Sequence, residues 1–299
     1  MLIDQSQKKI DDIIYINNEY VSPSEAHISI FDRGFLFADG VYEVIPVYYG
    51  HILFLKEHLI RLQSNLDLLK IPYRLDHDEW FVILNKLIAV NGSDRPIYIQ
   101  ITRGADTTRL HDYSDALTPT IIAFSLNPIE LGNCLKNTNI TIITLPDIRW
   151  KLCHIKSISL LGNVMLNKQA KEAGADEVLL INEHQYIVEG STSNYFIVKN
   201  NQIITPPLNN ELLPGITRQI VFNLCAKHNM PILETNITEE DLYNADEIWL
   251  TSSTKEIRSV GKINNKTINN GQAGPVWQKI VNLYIDYIKT LQTTNKYTS

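Results

Sequence analysis

Residues 189–218 leave this chain the fewest choices of fold. They read Glu189-Gly-Ser-Thr-Ser-Asn194-Tyr-Phe, then Ile203-Ile-Thr205, then Leu213-Pro-Gly215-Ile-Thr-Arg218. The stretch supplies one acid, a row of small hydroxyls, two runs suited to strands and a glycine-opened turn. Ile216, Ile220, Val221 and Leu224 recur at helical spacing and predict a helix over 216–228. Gly215 lets the backbone approach a ligand closely, and Ile216 and Thr217 place peptide N–H groups at the helix start. Unpaired donors and the macrodipole favour an anion there, by about 0.3–1 kcal/mol for the dipole alone. Glycine before Ile-Thr also starts many ordinary helices, so the local pattern leaves both roles open.

With 299 residues, 44% of them hydrophobic, the chain can bury a large core, and its length suggests about two domains. A net charge of −6 without a basic run argues against a nucleic-acid partner. Cys134, Cys153 and Cys225 have none of the spacings of a zinc site or disulfide framework, which points to a reduced, cytoplasmic protein. The opening Met-Leu-Ile-Asp-Gln-Ser-Gln-Lys-Lys lacks a signal-peptide core, and no stretch reaches the ~18 apolar residues of a membrane span.

In order along the chain, residues 13–21 predict a hairpin turning at Asn17-Asn18. Residues 27–31 read as a continuation of that sheet, Asp32-Arg-Gly34 as a turn, and 41–47 and 52–55 as strands, with Pro46 marking an edge or a bulge. Leu59, Leu62, Leu66 and Leu69 set a helix over 56–69, and a second helix follows over about 78–90. Strands at 95–102 and 120–124 flank a polar loop over 103–118. Together they predict an α+β domain over 1–130, and 127–137 reads as the linker to a larger domain over 131–299. In that second part the pattern gives strands at 140–144, 176–181, 185–188, 194–198, 202–205, 231–235 and 247–251. Helices are expected over about 162–173, over 216–228 and from Pro275 onward.

The stretch 189–218 closely resembles the signature of the class IV pyridoxal-phosphate aminotransferases, the family of branched-chain and D-amino-acid aminotransferases and aminodeoxychorismate lyase. The match consists of an acid, three small residues, Asn-aromatic-aromatic, a hydrophobic-x-Thr and a Gly-hydrophobic-x-Arg. It extends over about residues 15–263. The resemblance implies a two-domain α+β fold of type IV with pyridoxal 5'-phosphate between the domains, the larger domain carrying the cofactor lysine and the phosphate-binding loops. Pyridoxal-phosphate chemistry needs an amine to hold the cofactor aldehyde, an acid at the pyridine nitrogen and a phosphate anchor. The resemblance assigns the first two to Lys156 and Glu189. It assigns the anchor to Arg61, Gly215, Ile216, Thr217, Ser252 and Ser253, and packs Leu213 on the ring. Taken alone, Lys156 is as suited to the surface as any lysine, Glu189 is a hairpin-end acid, and Thr251-Ser-Ser-Thr254 is an ordinary polar loop.

Arg109-Leu-His111, in the polar loop, is similar to the Arg-x-His with which D-amino-acid aminotransferases clamp the substrate carboxylate from a neighbouring subunit, together with a tyrosine matching Tyr42. Arginine offers a bidentate fork for a carboxylate and histidine a further donor, although two polar residues in a polar loop can equally be solvated. The resemblance therefore implies a homodimeric D-amino-acid aminotransferase acting on D-alanine or other D-amino acids with a 2-oxo acid. A branched-chain L-amino-acid aminotransferase, aminodeoxychorismate lyase and a non-catalytic small-molecule binder are the alternatives. Phe35 stands where relatives often carry tyrosine, and Thr192 interrupts a serine trio.

Overall fold

The computed structural model describes residues 12–293 except Leu75 and Asn137. The opening segment read above for a signal peptide, and Asn137 at the end of the expected linker, lie outside the described residues. The chain divides into two compact units. The first runs to Glu130 and takes back Lys156–Ser159; the second comprises Leu131–Ile155 and Leu160–Ser299. A cut at 130/131 alone puts Lys156 in the second domain. Instead, a bridge between Val41 and Ser157, with the Tyr42 N–H donating to the Lys156 carbonyl, attaches that segment to the first unit.

In the first unit, β1 (Ile14–Ile16) and β2 (Glu19–Val21) form a hairpin in which Asn17 and Asn18 both take positive φ. Asparagine tolerates that conformation, and it lets a two-residue turn follow the strand twist. Next come α1 (Arg33–Phe37), β3 (Gly40–Ile45), β4 (Val47–Tyr48), β5 (His51–Ile52), α2 (Leu55–Leu68), α3 (His77–Asn91), β6 (Ile97–Thr102) and β7 (Thr120–Ser125). The antiparallel sheet runs β2-β1-β7-β6-β3, and Pro46, which cannot donate to a ladder, ends β3 at its edge. Leu62 and Leu66 of α2, Leu84 and Leu87 of α3, and Ile97, Ile99 and Ile101 of β6 are fully buried. The helical and strand periods thus put their apolar sides into one core.

Two expectations fail here. Residues 27–31 form no strand, and Ile28, Ile30 and Phe31 are exposed; apolar alternation without a ladder partner does not make one. The Asp32-Arg-Gly turn is the start of α1. Asp32 caps it by accepting from the Gly34 N–H, and a Cβ on Gly34 would lie 2.3 Å from Thr102 Cγ2, so only glycine allows that approach.

The second unit contains α4 (Asn133–Lys136), β8 (Ile140–Pro146), α5 (Leu161–Glu172), β9 (Glu177–Ile181), β10 (Ile187–Gly190), β11 (Asn194–Lys199), β12 (Gln202–Thr205), α6 (Ile216–Lys227), β13 (Ile232–Glu234), α7 (Glu239–Tyr243), β14 (Glu247–Ser252), β15 (Glu256–Ile263), β16 (Lys266–Thr267) and α8 (Pro275–Thr293). Its mixed sheet runs β10-β9-β8-β15-β14-β11-β12-β13. β15 lies inside this order, over a stretch, Glu-Ile-Arg-Ser-Val-Gly-Lys-Ile, to which the sequence pattern above assigns no element. It is recruited by pairing with β14 on one side and β8 on the other.

The start of α8 shows how the second unit closes. Pro275 occupies the first position, and the buried Glu247 carboxylate accepts from the next two amides, Val276 N–H at 2.9 Å and Trp277 N–H at 2.7 Å. Glu247→Ala leaves those donors without their carboxylate, so urea unfolding should show a loss of about 1–3 kcal/mol. A matched Ala substitution at exposed Glu240 should change stability much less.

Candidate active site

The second unit builds an acid cradle around Glu189, at the end of β10. The side chain is 5% exposed. Arg149 Nη1 donates to Oε1, while Asn194 Nδ2 and the Leu213 N–H donate to Oε2 at 3.1 and 3.0 Å. Arg149 is itself fixed by Asp147, through Nε at 3.0 Å and Nη2 at 2.8 Å, and by the Glu211 carbonyl. Burial pushes the Glu189 carboxyl up to about 6, against the pull of Arg149 and the Leu213 amide, which leaves it ionised at neutral pH. Sequence reading singled out Glu189 and missed Arg149 and Asp147; their Asp-x-Arg spacing is the one local signal.

A second buried acid, Glu177 on β9, shapes the turn that follows Glu189. It accepts from the Ser191 N–H and hydroxyl, from the Thr192 hydroxyl at 3.0 Å and from Lys255 Nζ at 2.7 Å. Burial raises its pKa, but Lys255 and Ser191 outweigh that and hold it below the usual range. The small hydroxyls of the 190–193 turn therefore have a structural use, and Thr192 takes part as well as a serine would.

Leu213, Gly215 and α6 follow directly. Asn194 Nδ2 also donates to the Leu213 carbonyl at 2.9 Å, and a Cβ on Gly215 would lie 2.1 Å from Asn194 Oδ1. Glycine is thus required for the strand-end asparagine to reach both Glu189 and the 213–215 segment. Gly215 starts α6 with no side-chain cap, which leaves the first amides of the helix, at Ile216 and Thr217, without a capping side chain. Asn194 pairs with Thr251 across β11 and β14, which brings the neighbouring Ser252 and Ser253 to the same end of the sheet. The Thr251 hydroxyl is buried without a hydrogen-bond partner, and the Ser252 hydroxyl accepts from the Lys255 N–H. Arg218, the last residue of the signature, is structural: Nη2 donates to the Pro206 carbonyl at 3.0 Å and pairs with Glu234.

The first unit brings Lys156 and Tyr42 together, with Nζ 4.2 Å from the ring centroid. Tyr42 also stacks on Tyr98 at 5.5 Å. Glu43, the next residue on β3, faces α2, where Arg61 Nε and Nη2 donate to its two oxygens at 2.7 and 2.8 Å and His58 Nδ1 lies 2.7 Å away. Burial pushes Glu43 up, yet Arg61 and His58 hold it well below the usual range; burial lowers His58 against the pull of Glu43. Arg61 is thus committed to Glu43 through two of its nitrogens, a partnership that sequence spacing did not reveal. In the 103–118 loop, Arg109 and His111 both lie against Phe37, the guanidinium carbon 4.9 Å and the imidazole 5.4 Å from the ring centroid.

Each unit by itself offers part of what pyridoxal phosphate needs: the first a lysine amine at Lys156, the second a buried ionised acid suited to a ring nitrogen and an uncapped helix start suited to a phosphate. Because the folded state holds the Glu189 proton more tightly than the unfolded chain, that group's stabilisation is present at low pH and is lost as pH rises through about 6. In cofactor-free protein, urea unfolding free energies should therefore fall more between the ordinary glutamate range and pH 6 in wild type than in Glu189→Gln. Parallel profiles would remove this reading of the cradle.

Comparison with known proteins agrees with the geometry. The amino-transferase class IV family model matches residues 40–263. A D-alanine aminotransferase of Bacillus licheniformis is 37% identical over 268 residues, covering 89% of this chain and 94% of that protein. A Methanocaldococcus jannaschii protein, provisionally named a branched-chain-amino-acid aminotransferase, is 35% identical over 91% of this chain and 95% of its own. The branched-chain amino acid aminotransferase of Escherichia coli shares the fold, with a TM-score of 0.87 at 23% identity, covering 96% of this chain and 97% of that one. With a family match over most of its length and relatives above 30% identity, this chain belongs to the class IV aminotransferases, pyridoxal-phosphate enzymes of fold type IV.

Proposed function

We propose that the protein is a D-amino-acid aminotransferase, moving the amino group of D-alanine or a related D-amino acid to a 2-oxo acid such as 2-oxoglutarate. The observation that carries this reading is that Arg109 and His111 both lie against one ring, Phe37, which keeps two candidate carboxylate donors close together in the loop. Similarity to a D-alanine aminotransferase at 37% identity supports it. The similarity to a provisionally named branched-chain enzyme keeps the L-specific reading as its rival.

In this reading Lys156, Glu189, Arg61, Leu213, Gly215, Ile216, Thr217, Ser252 and Ser253 hold the cofactor. Once bound, pyridoxal phosphate supplies an electron sink for the charge left when the substrate Cα loses its proton. Lys156 Nζ is the base that takes that proton and later returns one. Glu189, kept ionised by Arg149, holds a proton on the pyridine nitrogen. Arg109, His111 and Tyr42 receive the α-carboxylate and so decide which face of the substrate meets Lys156. The protein acts as a cytoplasmic homodimer, with the 103–118 loop serving the neighbouring subunit.

Purified protein should show visible cofactor absorbance and form pyruvate from D-alanine only when 2-oxoglutarate is present. Turnover of L-valine or L-leucine instead would favour the branched-chain reading, and pyruvate release without an acceptor the lyase. A colourless protein that takes up no cofactor would leave only a binding role. Lys156→Ala should abolish borohydride trapping and turnover.

Arg109→Ala should keep the cofactor and lose roughly ten- to a hundredfold in kcat/KM for D-alanine, the effect of about 1.5–3 kcal/mol for a charge-assisted hydrogen bond. Mixed Lys156→Ala and Arg109→Ala chains should regain activity in verified heterodimers. Their failure to do so would assign the arginine to its own subunit or remove it from the substrate site.

A further inference from the structure

Arg109 and His111 sit in an exposed loop, and a clamp there is useful only if something holds the loop still. Arg33 is placed to do so. It is only 4% exposed although it opens the five-residue α1. Its guanidinium donates to three successive loop carbonyls: Leu110 at 2.7 Å and Asp112 at 3.3 Å from Nη1, and His111 at 3.0 Å from Nη2. Nε donates to Asp39 at 3.0 Å. Asp39 in turn receives Arg103 Nε and Nη2 at 2.8 and 3.0 Å, and Arg103 reaches the carbonyls of Lys70 and Leu69. The chain of contacts thus runs from the end of α2 to the loop backbone just after Arg109 and on both sides of His111.

The loop side chains are held from the same short helix. Phe37 lies one turn after Arg33, whose guanidinium carbon is 4.8 Å from its ring centroid, and the ring also carries Arg109 and His111. Tyr113 closes the other side, over Arg33 at 5.2 Å and Arg103 at 3.8 Å. We propose that Arg33 and Phe37 are positioning residues that fix the 103–118 loop in its carboxylate-receiving conformation before substrate arrives, and so set KM for the amino donor. The inference rests on the reading of Arg109 and His111 as the substrate clamp.

The base of the loop does not depend on the Arg33 side chain. Backbone bonds from Arg33 to Gly104 and from Asp106 to Phe31 remain without it, and Asp39 keeps Arg103. Removing the guanidinium should therefore loosen 110–112 and leave the unit folded. A preorganised loop costs less to order on binding, so its loss falls on KM rather than on proton transfer.

The test uses cofactor-loaded Arg33→Ala and Phe37→Leu. Trypsin cleavage after Arg109, followed by fragment mass, should accelerate about tenfold, and KM for D-alanine should rise by about tenfold with kcat within about twofold and cofactor absorbance unchanged. Arg33→Lys keeps a charge beside Asp39 without the three-carbonyl fork, so it should fall between wild type and Arg33→Ala; it takes over the assay if the alanine variant does not fold. Unchanged cleavage, or faster cleavage with unchanged KM, would overturn the proposal. Cleavage is read without any substrate. Wild-type protein inert toward D-alanine would thus defeat the D-amino-acid reading alone, and KM would then be measured with the amino donor that does turn over.

Discussion

A carboxylate taken fully out of water must find partners or give up its charge, and Glu189 organises the second unit by that requirement. Its oxygens draw in Arg149 from after β8, Asn194 from β11 and the Leu213 amide from the segment before α6. Arg149, 40 residues away, and Leu213, 24 residues away, are brought to the same point as the nearby Asn194 by a single side chain. The compromise shows in its pKa: burial pushes it up to about 6, and Arg149 and the amide keep it ionised at neutral pH. In the proposed function, a ring nitrogen facing this acid would meet a charge that needs no solvent reorganisation to act.

Two further buried acids obey the same rule with different results. Glu177 meets Lys255 and five hydroxyl or amide donors, and it stays below the usual range; it ties the turn after Glu189 to the loop after β14. Glu43 meets Arg61 and His58 on one face of α2, which fixes the edge strand β3 to that helix. The two-residue period of β3 then turns Tyr42 the other way, toward Lys156. Structural pairing of Glu43 and chemical placement of Tyr42 are consequences of one strand.

The loop after β6 is held by a different kind of interaction. Its polar side chains cannot build a core, so its order comes from a buried guanidinium satisfying carbonyls and from cations on aromatic rings, with Arg33 and Phe37 supplying both from α1. The Asp-Arg-Gly run that reads as a turn in the sequence is therefore a support, capped by Asp32 and made possible by the absence of a side chain at Gly34.

By itself the sequence determined the elements whose signals are local: the Asn17-Asn18 hairpin, the leucine-spaced α2, the strands β6 and β7, and the start of α6 behind Gly215. Its signature also carried the family and the cofactor, because the Glu189 to Arg218 order compresses many constraints into a short stretch. Partnerships spanning tens of residues were decided only by the tertiary structure. Arg149 on Glu189, Lys255 on Glu177 and Arg33 on the 110–112 carbonyls leave no periodicity to read, since an ion pair depends on where two chains meet and not on spacing along one. The same reason hid β15, whose charged alternation becomes a strand through its neighbours β8 and β14, and exposed residues 27–31, whose apolar alternation found no neighbour. Local chemistry chose helix, turn and glycine; long-range pairing of buried charges and ladder hydrogen bonds chose the rest.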